Sequence, residues 1–370
     1  MRAIYINGRY LTQRTTGVQR FASEIVRALD EQISSSKSEI SLPVFLVIPA
    51  GKVPIPSLKN IRIIQGVWLH GHPWEQFELP FIARSGLLFN PCGPAPIFHS
   101  HQVTSLHDAS IHVAPAGYSW KFRMWHKLLM WRSGRNARLI LTVSKFSMRQ
   151  LISICGIPEE KIRVIYQSGN HILREPADPS ILDKYGLNDG TPYILCVGSQ
   201  QANKNFASVV QAAALLQNKN FRFVVVGSAD LSIYRGPILM HERMVFTGYI
   251  TDKQLRALYE HAACFVFPSL YEGFGIPPLE AMACGCPVLA SNASSIPEAC
   301  GQAALYFDPK RPDLLAAEII KILTNVELHR QLIALGLQHT KVRTWQDVSR
   351  ELSTLLWTSV VSSDQAGPGT

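Results

Sequence analysis

Long apolar runs are missing from this chain of 370 residues. None approaches the eighteen or more residues that a membrane-spanning helix requires, which excludes a helical integral membrane protein. Residues 1–7 are too short and too β-like to be a secretory signal peptide. We therefore expect a cytoplasmic protein.

Paired cysteine motifs are also missing. The seven cysteines are odd in number and lie mostly in apolar runs, where a free thiol behaves as a small hydrophobic side chain. Cys284 and Cys286 have no second pair to complete a zinc site. We interpret them as packing residues and expect no bound metal.

The composition is that of a globular protein, with 47% apolar and 17% charged residues. The length suits two domains of ordinary size. The net charge of +9 is uneven, because residues 1–175 contain 21 Lys and Arg against 10 Asp and Glu, a net +11, whereas the remainder nets −2. The first half is therefore expected to handle an anionic partner, whether lipid headgroups, a diphosphate or nucleic acid.

Short β-rich runs alternate with helical patterns in two series along the chain. The first series opens with a strand at residues 2–7, and the second opens with a strand at residues 193–197. The polar, proline-bearing stretch 171–191 between them reads as a linker. The pattern predicts an α/β protein with an N-terminal domain over residues 1–175 and a C-terminal domain over residues 176–345.

A strand, a glycine loop and a helix start follow one another in the second series. An apolar run at residues 264–268 reads as a buried strand, and residues 271–280 lead from it into a helix. Glycines on both sides of Phe274 let the backbone approach a ligand, and the loop N–H groups and the helix dipole favour an anion such as phosphate. Glu272 and Glu280 beside such a site suit a ligand that also carries sugar hydroxyls. The alternative is two ordinary acids at a loop and a helix start.

This Glu-x7-Glu spacing around a Gly-Phe-Gly core resembles the motif of retaining glycosyltransferases of the GT-B fold, in particular family 4. The resemblance implies two Rossmann-like domains facing a central cleft, the first for the acceptor and the second for the nucleotide-sugar donor. It implies that Glu272 contacts the donor hexose and that Glu280 holds the nucleotide ribose. The donor-binding residues expected on this basis are Gly17, Ser199, Gly273, Phe274, Gly275, Ile276 and Glu280.

The resemblance also bears on the end of the chain. It implies that a helix, which we place at residues 346–357, returns to the first domain. We expect residues 358–370 to be a disordered tail, in which residues 362–370 are polar and contain Gly and Pro.

Lys204 lies at another strand-to-helix junction, where a cation can reach a diphosphate. From this residue alone a solvated loop lysine is the preferred interpretation, but the family has a lysine here that stabilises the departing nucleotide diphosphate. Many relatives place arginine directly after the glycine or just before this lysine. This chain has Ser199 and Asn203 at those places, so the source of that charge is open.

His107 follows a predicted strand, at the end where ligands bind in open α/β sheets. The family has a similar histidine near the acceptor and the transferred sugar, which makes His107 the third expected catalytic residue beside Glu272 and Lys204. A structural role is the alternative, and His99, His101 and His112 are weaker candidates for the site. Gly17 lies in a loop that faces the cleft in the family; a plain turn glycine is the alternative.

Residues 118–138 combine aromatic and aliphatic side chains with six basic residues and no acid. This is the pattern of an interfacial helix that contacts an anionic membrane, which would place the protein at the inner face of the membrane. A core helix with a solvated basic face is the alternative.

Metal-dependent transferases typically carry an Asp-x-Asp motif, and this sequence has none. We therefore expect a metal-independent, retaining transfer of a hexose, with no cofactor beyond the donor itself. By general similarity to enzymes of bacterial surface polysaccharides, the donor is expected to be GDP-mannose, with a UDP-sugar as the second choice, and the acceptor a lipid-linked oligosaccharide or an oligosaccharide. The alternatives are a GT-B epimerase or hydrolase of nucleotide sugars and a basic nucleic-acid-binding protein, although no nucleic-acid-binding motif is visible.

Overall fold

A computed structural model describes residues 3–34, 42–93, 95–113, 120–198, 201–216, 219–227 and 244–365. The chain divides into two compact units. Unit 1 comprises Met1–Gln167 and Trp345–Thr370, and unit 2 comprises Ser168–Thr344.

The boundary between the units lies at 167/168, eight residues before the expected 175/176. Residues 168–175 belong to unit 2 because they pack against it. A Cβ on Gly169 would lie 2.3 Å from the carbonyl carbon of Leu279. The Arg256 guanidinium donates hydrogen bonds to the carbonyl oxygens of Leu173 (3.1 Å) and Glu175 (2.8 Å).

Within the described residues, unit 1 is built on a parallel sheet in the order β3-β2-β1-β4-β5-β6-β7. Strands β1 and β4 are buried along their whole length, as expected for parallel strands covered on both faces. The strands are β1 (Ile4–Asn7), β2 (Val44–Ile48), β3 (Arg62–Gln65), β4 (Leu87–Asn90), β5 (Gln102–Ser105), β6 (Leu139–Thr142) and β7 (Ile162–Val164).

Helices cover this sheet and connect its strands. A π-helical turn, Trp74–Glu78, joins α2 to α3, and a 3-10 turn, Arg9–Thr12, follows β1. The α-helices of unit 1 are α1 (Gly17–Ile33), α2 (Gly71–Pro73), α3 (Leu79–Ile82), α4 (Ser110–Val113), α5 (Trp120–Asn136), α6 (Lys145–Cys155) and, at the end of the chain, α14 (Trp345–Gln365).

Helix α14 returns to unit 1 and shares a hydrophobic core with β1 and α1. It ends at Gln365, eight residues beyond the expected 357. Residues 358–365, which were expected in a disordered tail, are helical in the structure. The physical reason is Val360, which is 4% exposed and belongs to that core.

Unit 2 contains a second parallel sheet over its described residues, in the order β10-β9-β8-β11-β12-β13. Its strands are β8 (Tyr193–Val197), β9 (Arg222–Val226), β10 (Met244–Gly248), β11 (Cys264–Phe267), β12 (Val288–Ser291) and β13 (Ala304–Phe307). Its α-helices are α7 (Ser180–Lys184), α8 (Phe206–Leu215), α9 (Asp252–His261), α10 (Ile276–Ala283), α11 (Ile296–Cys300), α12 (Pro312–Thr324) and α13 (Val326–Lys341).

Both sheets reverse their strand order once. The reversal lies between β1 and β4 in unit 1 and between β8 and β11 in unit 2. In open parallel sheets such a switch point leaves a crevice at the carboxyl ends of the strands, where ligands bind. The two switch points are therefore the places to look for functional side chains.

Candidate active site

The switch point of unit 2 brings Lys204 and Glu272 together. Lys204 ends the 3-10 turn Ala202–Lys204 after β8, and Glu272 lies in the loop after β11. The Lys204 Nζ atom donates to Glu272 Oε1 at 2.7 Å, and the two side chains are 26% and 13% exposed. A cation and a carboxylate thus stand side by side at a partly open edge of the sheet.

The loops that carry this pair are tied together by Asn203 and Asn205. The Leu270 N–H donates to the Asn203 carbonyl oxygen at 2.7 Å, and the Asn203 side chain donates to the Tyr271 carbonyl oxygen at 3.2 Å. Asn205 adopts the left-handed conformation, with φ of 51°, and its side chain donates to the Pro268 carbonyl oxygen at 3.1 Å. Asn203 therefore holds the loop in place here.

The glycine loop is held from the other side by two serines that follow β12. The Glu272 N–H donates to Ser294 Oγ at 3.0 Å. The buried Ser295 Oγ lies 2.9 Å from the Glu272 carbonyl oxygen and 3.0 Å from that of Phe274. Sequence reasoning missed both serines as site residues. The available signal was that both serines follow β12, a strand of the same sheet.

The end of the glycine loop leads directly into helix α10. Gly275 has φ of 119°, a conformation that L side chains rarely adopt, and Ile276 is the first residue of the helix. Phe274 and Ile276 are buried, as is Gly273. The predicted donor-binding residues 273–276 thus form one rigid strand-to-helix connection.

Two further glycines lie at the ends of the central strands of unit 2. A Cβ on Gly227 would lie 2.0 Å from the Gly198 carbonyl oxygen, so the ends of β8 and β9 approach closely. Ser199, which follows Gly198 and was expected to bind the donor, lies outside the described residues.

Glu280 is buried in α10, and both of its carboxylate oxygens face side chains of unit 2. The Tyr259 hydroxyl donates to Oε2 at 3.1 Å, and His171 Nε2 lies 2.9 Å from Oε1. Burial, together with the Glu280 charge, raises the pKa of Tyr259 well above its ordinary value, so this phenol stays protonated as a donor. The ribose role of Glu280 stays a prediction. No sequence pattern pointed to Tyr259 or His171.

His107 lies in unit 1 after β5, at the carboxyl edge of the sheet. Its Nε2 lies 3.0 Å from the Pro91 carbonyl oxygen, and the Gln167 amide lies 3.4 Å from its Nδ1. Burial lowers its pKa, which favours a neutral imidazole that donates from Nε2. His99 and His101 precede β5 and so lie at the opposite edge of the sheet.

Gly17 begins helix α1 in unit 1. Thr16 caps this helix in a capping box with Gln19. A Cβ on Gly17 would meet nothing within 4 Å, so no close approach within the described chain requires glycine there.

Helix α5 buries some of its apolar side chains and exposes several large ones. Trp120 is 65% exposed and Met124 is 64% exposed, and Leu128 and Trp131 are exposed as well. We call these four residues the α5 apolar face. The Arg135 guanidinium lies 4.5 Å from the centre of the Trp131 ring, so cations and indoles share this surface. Among the residues that the structure describes, no helix has the length and apolar character needed to cross a membrane.

Comparisons with known proteins identify the family of this chain. The family model described as Glycosyltransferase Family 4 matches residues 15–168, and the one described as Glycosyl transferases group 1 matches residues 178–338. O-antigen chain mannosyltransferase B of Escherichia coli is 34% identical over 67% of this chain and 68% of its own length. O-antigen chain mannosyltransferase RfbU of Salmonella typhimurium is 27% identical over 82% of this chain and 86% of its own length.

A solved structure, that of HepE from Anabaena in complex with UDP-glucose, shares the fold. Its TM-score is 0.71 at 16% identity, and the match covers 97% of this chain and 100% of that one. The family, the fold and the enzyme class expected from the Glu-x7-Glu motif are thereby confirmed. The chain belongs to family 4 of the glycosyltransferases, with the GT-B fold.

Proposed function

We propose that this glycosyltransferase is a retaining, metal-independent mannosyltransferase of bacterial polysaccharide synthesis. Its donor is GDP-mannose, and its acceptor is a lipid-linked oligosaccharide or an oligosaccharide. The names of the two relatives, both O-antigen chain mannosyltransferases, support the sugar and the process. The observation that carries the proposal is the pairing of Lys204 with Glu272 at the switch point of unit 2.

Each member of this pair suits one part of a nucleotide sugar. The Lys204 ammonium stabilises the negative charge that develops on the leaving diphosphate, and the N–H groups at the start of α10 add to that stabilisation. Glu272 accepts hydrogen bonds from hexose hydroxyls and so positions the sugar. The acceptor hydroxyl attacks C1 from the side that the diphosphate leaves, and a phosphate oxygen takes its proton, so no protein base is assigned.

The donor is tested with a thermal-shift screen of GDP-, UDP-, ADP- and dTDP-sugars against the wild type and Glu280→Ala. A rise in Tm with GDP-mannose alone is expected for the wild type, because a ligand that binds only the folded state stabilises it. A rise in Tm with UDP-sugars instead would identify the donor as a UDP-sugar, the second choice. No rise with any nucleotide sugar contradicts the proposal.

Transfer itself is tested with Lys204→Ala and Glu272→Ala. We expect a loss of about 10²-fold or more in kcat for each variant, the magnitude typical of removing one group that stabilises developing charge. Both side chains are partly exposed, so folding should persist and an unchanged melting curve serves as the control. Turnover close to that of the wild type in both variants would remove this site.

We also propose that the enzyme acts in the cytoplasm, bound peripherally to the inner face of the membrane through helix α5. The α5 apolar face and the adjacent cations Lys121 and Arg135 suit a surface of anionic lipids, with indoles at the headgroup level and cations beside the phosphates. Helix α5 carries no acidic residue that would oppose such binding.

Flotation with phosphatidylglycerol vesicles tests this proposal. We expect the wild type to float with anionic vesicles and not with phosphatidylcholine alone. Lys121→Glu/Arg135→Glu should reduce flotation strongly, and Lys310→Glu, an exposed reversal in unit 2, should not. Equal flotation of all three proteins would contradict a role for α5.

A further inference from the structure

The switch point of unit 1 contains a buried polar network with no role in the donor chemistry described above. The Asn7 side chain at the end of β1 donates to Asn90 Oδ1 at the end of β4 (3.0 Å) and to Glu75 Oε1 (2.9 Å). Glu75, from the π-helical turn, is 1% exposed, and Asn7 and Asn90 are also buried. The Glu75 carboxylate therefore lies buried at the centre of this sheet edge.

Arg9 and His72 extend the network towards solvent. The Arg9 guanidinium pairs with Glu75 Oε2 and lies 3.1 Å from His72 Nε2. Because a guanidinium has only N–H donors, His72 Nε2 is the acceptor of that bond. His72 Nδ1 lies 3.5 Å from Glu75 Oε2. The Arg9 side chain is 17% exposed and that of His72 is 35% exposed, so the network is open on this side.

Charge in this network is balanced. The Glu75 carboxylate offsets the Arg9 guanidinium, and a dianionic phosphate at Arg9 would meet that carboxylate at close range. Burial and the neighbouring His72 and Arg9 lower the pKa of His126 to about 4, so this imidazole adds no charge at neutral pH. A neutral ligand rich in hydroxyl groups is therefore favoured over an anion.

An aromatic ring stands beside the polar groups. The Trp125 ring meets the His72 ring edge-on with centroids 6.3 Å apart, and Trp125 is 37% exposed. An indole ring next to hydrogen-bond donors and acceptors suits a pyranose, which has an apolar face and a rim of hydroxyls.

A purely structural ion pair explains this arrangement less well. Burying a charge pair costs desolvation free energy that its attraction barely offsets, so such a pair adds little stability by itself. In unit 2 the corresponding edge carries the partly exposed pair Lys204 and Glu272. Unit 1 also has a cation beside a carboxylate at its switch point, but there the carboxylate of Glu75 is almost fully buried.

We propose that Arg9, His72 and Trp125 form a subsite for a sugar residue of the acceptor. Arg9 hydrogen-bonds its hydroxyls, and Trp125 covers its apolar face. His72, whose Nε2 accepts from Arg9, positions that guanidinium together with the buried Glu75 and Asn7. This inference rests on the proposed transferase function and makes the recognised part of the acceptor a saccharide, not a phosphate.

The test uses the full-length protein, with mannotriose and inorganic pyrophosphate as probes. Saturation-transfer NMR without donor should show mannotriose bound to the wild type at millimolar concentration. His72→Ala, which leaves Arg9 without its positioning partner, and Trp125→Ala, which removes the stacking surface, should each weaken that binding about tenfold. His70→Ala, an exposed histidine two residues away, is the matched control and should bind as the wild type does.

Kinetics separate this inference from the proposed function. With GDP-mannose and a mannotriose acceptor, His72→Ala should raise the acceptor KM about tenfold and leave the donor KM unchanged, which a general loss of structure would not do. If the acceptor KM and the binding of mannotriose are unchanged in both variants, the subsite is overturned but the proposed function is not. Failure of mannotriose to bind the wild type, or binding of pyrophosphate that displaces mannotriose, also overturns it. If no nucleotide sugar binds but mannotriose binding depends on His72, the proposed function fails and the saccharide subsite stands.

Discussion

At the level of single residues, the donor site depends on groups that hold the loop as much as on groups that face the ligand. Lys204 and Glu272 are the charged pair, but Ser294 and Ser295 determine where the Glu272 backbone lies. A serine hydroxyl that is buried and bonded to the chain is costly to replace, because its carbonyl partners lose their donor.

Ser295→Ala should therefore loosen the glycine loop. We expect a loss of about 1–2 kcal/mol in unfolding free energy, from carbonyl oxygens left without this donor, and a donor KM raised several-fold. Denaturant unfolding and donor kinetics measure the two effects. Ser180→Ala, which removes an exposed hydroxyl bonded to Asp178, is the control. A stable variant with wild-type donor KM would show that Ser295 does not position the loop.

At the level of elements, helix α14 shows how packing sets the length of a helix. Its polar C-terminal residues read as a tail, yet Val360 reaches the core of unit 1 and Arg138 donates to the Ser359 carbonyl oxygen at 3.3 Å. Tertiary contacts therefore extend the helix beyond its last strongly apolar turn. Local helix propensity alone would not extend it that far.

Truncation after residue 357 tests this account. It removes the buried Val360, and we expect a loss of about 2 kcal/mol in unfolding free energy, the value of burying one such side chain. Truncation after residue 365 should leave the melting temperature unchanged, because Val360 and its helix are retained. A melting temperature unaffected by the shorter truncation would contradict a stabilising role for residues 358–365.

At the level of the whole molecule, stability should depend on pH through two partly buried histidines of unit 1. Burial lowers the pKa of His107, and burial with the neighbouring His72 and Arg9 lowers that of His126 to about 4, against an opposing effect of Glu75. Both groups are neutral in the folded state and protonate more readily when unfolded. Their contribution to stability is complete above the ordinary histidine pKa of about 6.5 and is lost as the pH falls towards 4.

His126→Gln should reduce this acid sensitivity. Between pH 6.5 and 5, the urea midpoint of the wild type should fall more steeply than that of the variant, since glutamine does not titrate. His70→Gln, at an exposed position, should follow the wild type. Parallel curves for wild type and His126→Gln would show that His126 does not contribute to acid destabilisation.

Much of this molecule follows from local patterns in the chain. Alternating strands and helices predicted two parallel α/β units, and the strand, glycine loop and helix around Glu272 predicted the donor motif. Lys204 and Glu272 were expected in one site although 68 positions separate them. That expectation came from the resemblance to the family, and it could succeed because the parallel strands of one sheet have their carboxyl ends at one edge. The same reasoning placed His107 at the carboxyl edge of the other sheet.

The contacts that pair distant elements could not be derived in this way. Tyr259 and His171 meet Glu280 through the packing of α9 and the segment after residue 168 against α10, and Glu75 reaches Asn7 through a π-helical turn. The periodicity of a sequence states which face of an element is buried, but not which neighbour covers it. The chain therefore specified its elements and its charged motif locally, whereas tertiary packing decided the unit boundary, the length of the last helix and the partners of each buried polar group.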